Sequence, residues 1–243
     1  MNMDMPMEMQ NQVMGYDRAA TIFSPDGHLI QVEYAEKTVR LGSSSIGIVC
    51  RDGVVIVADK RQKDSLVISD PTGRISEVDK HILVSSAGIA SDARILIERA
   101  QIVSQQHRVT YDSDVDVESI VKDIANMKQQ FTQYGGARPF GVSLMIAGIS
   151  SKKPKLFVTD VTGNYASYKA SAIGENDEKI KEELRMNLEK EIDTEEAIKL
   201  ALKIFKDILG KNFSVERFDA SYIQIEEGKI IRLNGEQLKK YVR

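Results

Sequence analysis

Ser44-Ser45-Ile46-Gly47-Ile48-Val49-Cys50-Arg51-Asp52-Gly53-Val54-Val55-Ile56-Val57-Ala58-Asp59 is the stretch from which the architecture is read. Ser44 to Cys50 and Val54 to Asp59 are β-rich runs, and Arg51-Asp52-Gly53 between them contains the Asp-Gly pair that favours a tight reversal. The stretch predicts a hairpin early in the chain.

Working outward, Ser24-Pro25-Asp26-Gly27 upstream has the chemistry of a type I turn, with Ser first, Pro fixing φ at the second position and Gly fourth. Leu29, Val32, Ala35 or Glu36, and Val39 then recur at near-helical spacing as far as Gly42, so a short helix precedes the first strand. Downstream, residues 66–68, 74–78 and Ile82 to Ser86 read as strands. The period then changes: Leu96, Ala100, Val103 and His107 mark one helix, and Val117, Ile120, Val121, Ile124, Met127 and Phe131 a second. Gly135-Gly136-Ala137-Arg138-Pro139 breaks the second helix, and three strands follow at Val142 to Ile149, Lys155 to Val161 and Ala166 to Ile173. A helix over about 176–190 leads to another that opens at Asp193, with Glu196 as its capping-box partner. Strands at 219–225 and 229–233 close the chain. Segregated blocks of strands and helices favour α+β over a parallel sheet, and two stacked antiparallel sheets, each covered by a helical layer, bury every apolar stripe. The expectation is a four-layer αββα sandwich in one domain over residues 16–243.

Composition limits the function classes. The chain has 243 residues, 42% hydrophobic and 28% charged, in the range of an ordinary globular protein. The net charge is −3 and no basic block occurs, which argues against nucleic acid and anionic membrane as partners. One cysteine, Cys50, sits in an apolar run and reads as a buried structural thiol; no disulfide framework is possible within the chain, which fits a reducing cytoplasm. Met1, Met3, Met5, Met7 and Met9 alternate with Asn2, Asp4, Pro6 and Glu8, where Pro6 and the lack of β-branched residues argue against a strand and no export signal is present. Residues 1–14 therefore read as a mobile, adhesive tail.

Familiar catalytic and cofactor signatures are absent: no phosphate-binding loop, dinucleotide turn, paired-cysteine zinc pattern or His-Glu-x-x-His occurs. His28, His81 and His107 lie in separate segments without a second ligand at metal spacing, so no cofactor is expected. The informative segments are Tyr16-Asp17-Arg18-Ala19, Phe23-Ser24-Pro25-Asp26-Gly27 and Gln31-Val32-Glu33-Tyr34-Ala35. Together with Ser91-Asp92-Ala93-Arg94 and Tyr134-Gly135-Gly136-Ala137-Arg138-Pro139-Phe140-Gly141-Val142-Ser143-Leu144, they resemble the blocks of proteasome α-type subunits, the archaeal type above all. The resemblance implies the αββα sandwich of the N-terminal nucleophile hydrolases. It also implies seven-membered rings of α-type subunits that cap rings of β-type subunits, where an N-terminal threonine cuts peptide bonds.

On that resemblance, residues 1–15 form a gating tail that controls the passage of unfolded protein substrates. Tyr16, Asp17, Pro25 and Tyr34 match residues that cluster between adjacent subunits and hold the tails upright in the open pore. Tyr134, Gly135, Gly136, Ala137 and Arg138 match the segment that narrows the pore. ATP-dependent regulatory particles or other activators insert a C-terminal tail between α subunits of this family; Arg74 falls where their carboxylate pairs with a lysine, and Leu29 and Gly42 match other pocket positions. Arg for Lys keeps the charge but changes the geometry demanded of a carboxylate. Glu36 stands where archaeal members often carry Arg.

The rival reading is a catalytic N-terminal nucleophile hydrolase that exposes Ser43 by cleavage after Gly42, with Asp59 at an acidic position of the active site. In that chemistry the freed α-amine acts as base, tuned by a lysine. Ser43 within a continuous chain has only an amide nitrogen, and Arg74, near the lysine position, cannot be tuned in that way. Asp59 then reads as a solvated or locally bonded strand-end carboxylate. A scaffold or chaperone with no protease attached is a third class, discriminated by copurification of a β-type partner.

Overall fold

The computed structural model describes residues 15–61, 66, 74–189 and 191–242. The expected elements follow one another in order, beginning with helix α1 (Ile30–Arg40) and the hairpin β1 (Ser45–Val49) and β2 (Gly53–Asp59). Then come β3 (Ile75–Asp79), β4 (Ile82–Gly88), α2 (Ala90–Tyr111), α3 (Val117–Gln133), β5 (Val142–Ser150) and β6 (Lys153–Thr159). The chain continues through β7 (Tyr165–Ser167), β8 (Ala170–Ile173), α4 (Asp177–Asn187), α5 (Thr194–Leu209), β9 (Phe218–Gln224), β10 (Ile230–Leu233) and a short α6 (Gly235–Leu238). The strand read at 66–68 has Leu66 in a turn, and its other two residues lie outside the described residues.

Two antiparallel sheets form, one in the order β10-β9-β2-β1-β8 and the other β3-β4-β5-β6-β7. The quoted hairpin founds the first, with Ser45 opposite Ala58 and Val49 opposite Val54. Strand alternation sorts its apolar residues into two layers. Ile46, Ile48, Val55 and Val57 pack against Ala197, Ile198, Ala201, Leu202 and Phe205 of α5. Val54, Ile56 and Ala58 face the second sheet, meeting Leu83, Met145, Ala147 and Leu156. The outer face of that sheet, through Val84, Val142, Leu144 and Ile146, is covered by Leu96 of α2 and by Ile120, Val121 and Ile124 of α3. Four layers result, αββα. Burial on both faces explains why these strands are apolar throughout rather than alternating.

Polar contacts fix the stacking. Ser45 and Ser85 share a hydrogen bond of 2.7 Å across the two sheets in the buried interior. Cys50 is buried, and desolvation pushes its thiol pKa up, which keeps it in the unreactive protonated form. The α5 capping box forms as expected: the Glu196 amide donates to Asp193 Oδ1 at 2.9 Å and the Asp193 amide to Glu196 Oε2 at 3.0 Å.

One expected element is corrected. Residues 166–173 are not one strand: β7 pairs with β6 in the second sheet, whereas β8 pairs with β1 in the first. The crossing occurs at Tyr168-Lys169, where the Tyr168 amide donates to Leu156 O at 2.9 Å and Lys169 O accepts from the Val49 amide at 2.8 Å. The chain bends at Lys169, and no Gly, Pro, Asn or Asp at the crossing announces it in the sequence.

Candidate functional site

The residues singled out above fall on one end of the sandwich and the segment leading to it. Gly15, at φ +77°, opens a single 3-10 turn, Tyr16–Arg18, which packs against α1. Tyr16 and Tyr34 are both half-buried, and the Lys37 ammonium lies 5.4 Å from the Tyr34 ring centroid. Asp17 is the middle residue of the turn, and its side chain lies outside what is described. Pro25 occupies the exposed turn that the sequence predicts, closed by the Gly27 amide donating to Ser24 O at 2.9 Å, with Gly27 at φ +81°. Buried Ser24 holds the turn from inside, its Oγ accepting from the His28 amide at 3.1 Å. Ile22 and Phe23 beside it are 52% and 63% exposed.

Helix α1 leads from this turn to the sandwich. Val32 and Ala35 bury against Val161, with Leu29 and Val39 alongside. Thr38 Oγ1 donates to Gly141 O at 3.0 Å, tying the helix to the start of β5. Gly42 then passes so close to Gly88 that a Cβ at Gly42 would stand 2.3 Å from the Gly88 nitrogen. Ser43 is 3% exposed. Its neighbours are fastened on both sides, Gly42 O by the Glu175 amide at 2.9 Å and Ser44 O by the Asp59 amide at 3.0 Å.

Asp59 corrects part of its expectation. It is 2% exposed rather than solvated, and Arg217 grips it in a bidentate pair, Nε to Oδ1 at 2.9 Å and Nη2 to Oδ2 at 2.5 Å. The locally bonded alternative does hold, since the Arg61 amide also donates to Oδ1 at 3.0 Å. Both carboxylate oxygens are therefore committed to structure. Arg74, just before β3, is half-buried; its carbonyl accepts from Ser85 Oγ at 2.8 Å, and its Nε is buried with no hydrogen-bond partner among the described residues.

The loop after α3 stands out from this end. Tyr134 is 68% exposed, Gly135 and Gly136 are exposed, and Gly136 takes φ +85°. Arg138 folds back onto Asp92 at the start of α2, Nη1 to Oδ2 at 2.6 Å and Nη2 to Oδ1 at 2.7 Å. Oδ2 also accepts from the Gly141 amide at 2.9 Å. Burial acts to raise the Asp92 carboxyl pKa, but the Arg138 guanidinium and the Gly141 N–H outweigh it and hold the carboxyl below its ordinary value. Beneath the loop, fully buried Lys128 donates from Nζ to Val142 O at 2.9 Å. Among the described residues no group of three or more His, Cys, Asp and Glu is placed to hold a metal ion.

Known sequences bear on this end directly. The N-terminal signature of A-type proteasome subunits matches residues 16–37, which hold the 3-10 turn, the Ser24–Gly27 turn and most of α1, and the general proteasome subunit profile matches residues 39–223. The chain belongs to the proteasome α-subunit family. Proteins named as proteasome alpha subunits from Archaeoglobus fulgidus and Saccharolobus solfataricus are each 41% identical, over 229 and 232 residues. The matches cover 94% and 95% of this chain and 93% and 96% of those relatives. The Methanosarcina acetivorans protein of the same name is 40% identical over 231 residues. As a proteasome α-type chain, the molecule works in protein degradation and assembles with other proteasome subunits.

Three contributors escape sequence reasoning. Asp92 lies in a block quoted for its resemblance, yet its role as the anchor of Arg138 depends on a contact 46 residues away. Arg217 carries no local feature that links it to Asp59. Lys128 does leave a signal: it stands one turn beyond Ile124 on the buried face of α3, where a lysine interrupts an apolar stripe.

Proposed function

We propose that this chain is a non-catalytic subunit of the outer α-ring of a proteasome core particle, gating the passage of unfolded protein to proteolytic sites on β-type partners. The observation that carries the reading is the packing of α1 directly upstream of Gly42-Ser43, where Val32 and Ala35 bury against Val161 and Thr38 bonds to Gly141. A chain that keeps this helix has a peptide amide, without basicity, at the Ser43 nitrogen. Cleavage after Gly42 would strip away the helix and the signature with it. Arg217 holding Asp59 supports the same reading, because it commits the acidic group that catalysis would draw upon.

Within this proposal residues 16–243 act as one domain and residues 1–15 as the gating tail. Tyr16, Asp17, Pro25 and Tyr34 form the gate cluster at the contact between neighbours in a seven-membered ring. Tyr134, Gly135, Gly136, Ala137 and Arg138 line the pore. Arg74, Leu29 and Gly42 receive the C-terminal tail of an ATP-dependent regulatory particle or another activator. Among the described residues no helix is long and apolar enough to cross a membrane. The particle is assigned to the cytoplasm on the resemblance.

Native mass spectrometry of the particle purified from its source tests ring size and partner chains, and intact mass tests processing. The expected result is a ring of seven, bound to β-type chains, whose subunits retain residues 16–42 and show no peptidase activity alone. A mature chain beginning at Ser43, with turnover abolished by Ser43→Ala, would establish the catalytic alternative instead.

A further inference from the structure

Lys128 is a fully buried lysine, at 0% exposure. Its Nζ lies 2.8 Å from Thr159 Oγ1, 2.9 Å from Val142 O, 3.0 Å from Asp160 O and 3.4 Å from Thr159 O. All four partners are uncharged oxygens. The opposing charge that acts on it comes from Asp160, whose Oδ1 already accepts from the Thr162 and Asn164 amides and the Thr162 hydroxyl. Burial, only partly offset by Asp160, brings the Lys128 pKa down from 10.5 to about 7. The surrounding layer is otherwise short of titratable groups. Alongside Lys128 on the buried face of α3 stand Ile124, Ala125 and Thr132; β5 supplies Val142 and Leu144, and β6 Phe157 and Thr159. Strand β7 adds Tyr165, packed edge-on to Phe157.

The position of the contact matters as much as its chemistry. Lys128 and Val142 bracket residues 129–141, the segment that carries the exposed Tyr134–Arg138 loop. A second clamp, Asp92 on Arg138 and on the Gly141 amide, holds the same segment. That clamp stays charged through the neutral range, since the Asp92 pKa is lowered and that of Arg138 is raised.

We propose that Lys128 is a proton-operated latch on the Tyr134–Arg138 loop, gripping its base at Val142 when protonated and slackening when neutral. An ammonium has three N–H donors for the three oxygens within 3.0 Å, and each bond is charge-assisted. The neutral amine has two N–H donors and a lone pair. One oxygen then loses its donor, or the Thr159 hydroxyl turns round and donates to the nitrogen, and the remaining bonds fall to neutral strength. The proton released passes to water. Loop motion itself is independent of the gating proposal, whereas any effect on passage through a pore rests on it.

The chain contains no tryptophan, so Tyr134→Trp on the full-length protein places a single fluorescent reporter at the loop. Its anisotropy, followed from pH 5.5 to 9, is expected to fall in a one-proton step centred near 7. Adding Lys128→Met should abolish the step. Thr159→Val, which keeps the lysine but removes one acceptor of its charged form, should move the midpoint to lower pH, and it decides the matter if the methionine variant does not fold. No step in the reporter protein, or a step unmoved by either substitution, overturns the latch. Degradation of an unfolded protein by reconstituted α/β particles over the same pH range is the second arm. A rate that follows the anisotropy supports latch and pore together; an anisotropy step with an unchanged rate keeps the latch and removes the loop from the pore.

Discussion

Asp92 and Lys128 hold one loop by opposite electrostatic routes, and the two groups titrate in different ranges, Asp92 in acid and Lys128 near neutrality. The folded Asp92 carboxyl has a lowered pKa, so its contribution to stability is complete above the unfolded value and is lost as pH falls through the folded one. Asp92→Asn should cost about 1–2 kcal/mol near neutrality, because Arg138 is half exposed and recovers some hydration, as read from the urea midpoint. Lys128 is a base with a lowered pKa, so between about 7 and 10.5 the unfolded chain binds the extra proton and stability rises with pH. The ammonium makes the stronger bonds, yet the cost of burying its charge exceeds what they return. Relative to Lys128→Met, the unmodified chain should gain about 1.4 kcal/mol per pH unit from pH 7.5 to 8.5, measured by urea unfolding; parallel curves would count against the shifted lysine. Arg74 belongs to the activator proposal. Arg74→Ala should cut activator-stimulated degradation while sparing assembly and basal peptide hydrolysis, removing a charge-assisted contact worth roughly 1.5–3 kcal/mol, and Arg74→Lys should retain part of it. If Arg74→Ala particles respond to a tail-inserting activator like unmodified ones, nearby Lys80 is the next residue to test.

At the scale of elements, Gly88 ends β4 at φ +122°, and a Cβ there would stand 2.1 Å from Gly141 O. Gly88→Ala should therefore destabilise by about 3 kcal/mol or more, since backbone strain and a clash with backbone act together. Thermal unfolding of the purified chain checks this, and a loss under about 1 kcal/mol would mean that the β4 end relaxes freely. The elements legible in the sequence are those with local causes: Asp193 and Glu196 cap each other, Ser24 to Gly27 closes on itself, and α3 repeats its apolar face. The elements that sequence blurs have distant causes. Ala166 to Ile173 has strand propensity throughout, and only the competing edges of β6 and β1 divide it. The candidate residues show the same division. Pro25 sits in the turn its neighbours dictate, whereas the Asp59–Arg217 and Asp92–Arg138 pairs join segments that only the folded chain brings together.

For the whole molecule, the gating proposal predicts that removing residues 1–14 leaves ring assembly intact. Reconstituted particles should then degrade unfolded proteins faster, with a smaller gain for short peptides; equal rates on an unfolded protein would mean that the tail is no barrier. The first sheet has a further consequence. Its central hairpin, β1 and β2, is flanked by β8 on one side and β9 on the other, so both of its partners come from the last third of the sequence. During synthesis at about 5–20 residues per second, the hairpin waits roughly ten to thirty seconds for β9 to leave the ribosome. For most of that interval Ile46, Ile48, Val55 and Val57 have no α5 to cover them; the β1 edge lies open to other chains until β8 emerges and the β2 edge until β9 does. The birth of each subunit therefore includes a period in which its most apolar segment depends on chaperones or on uncrowded surroundings.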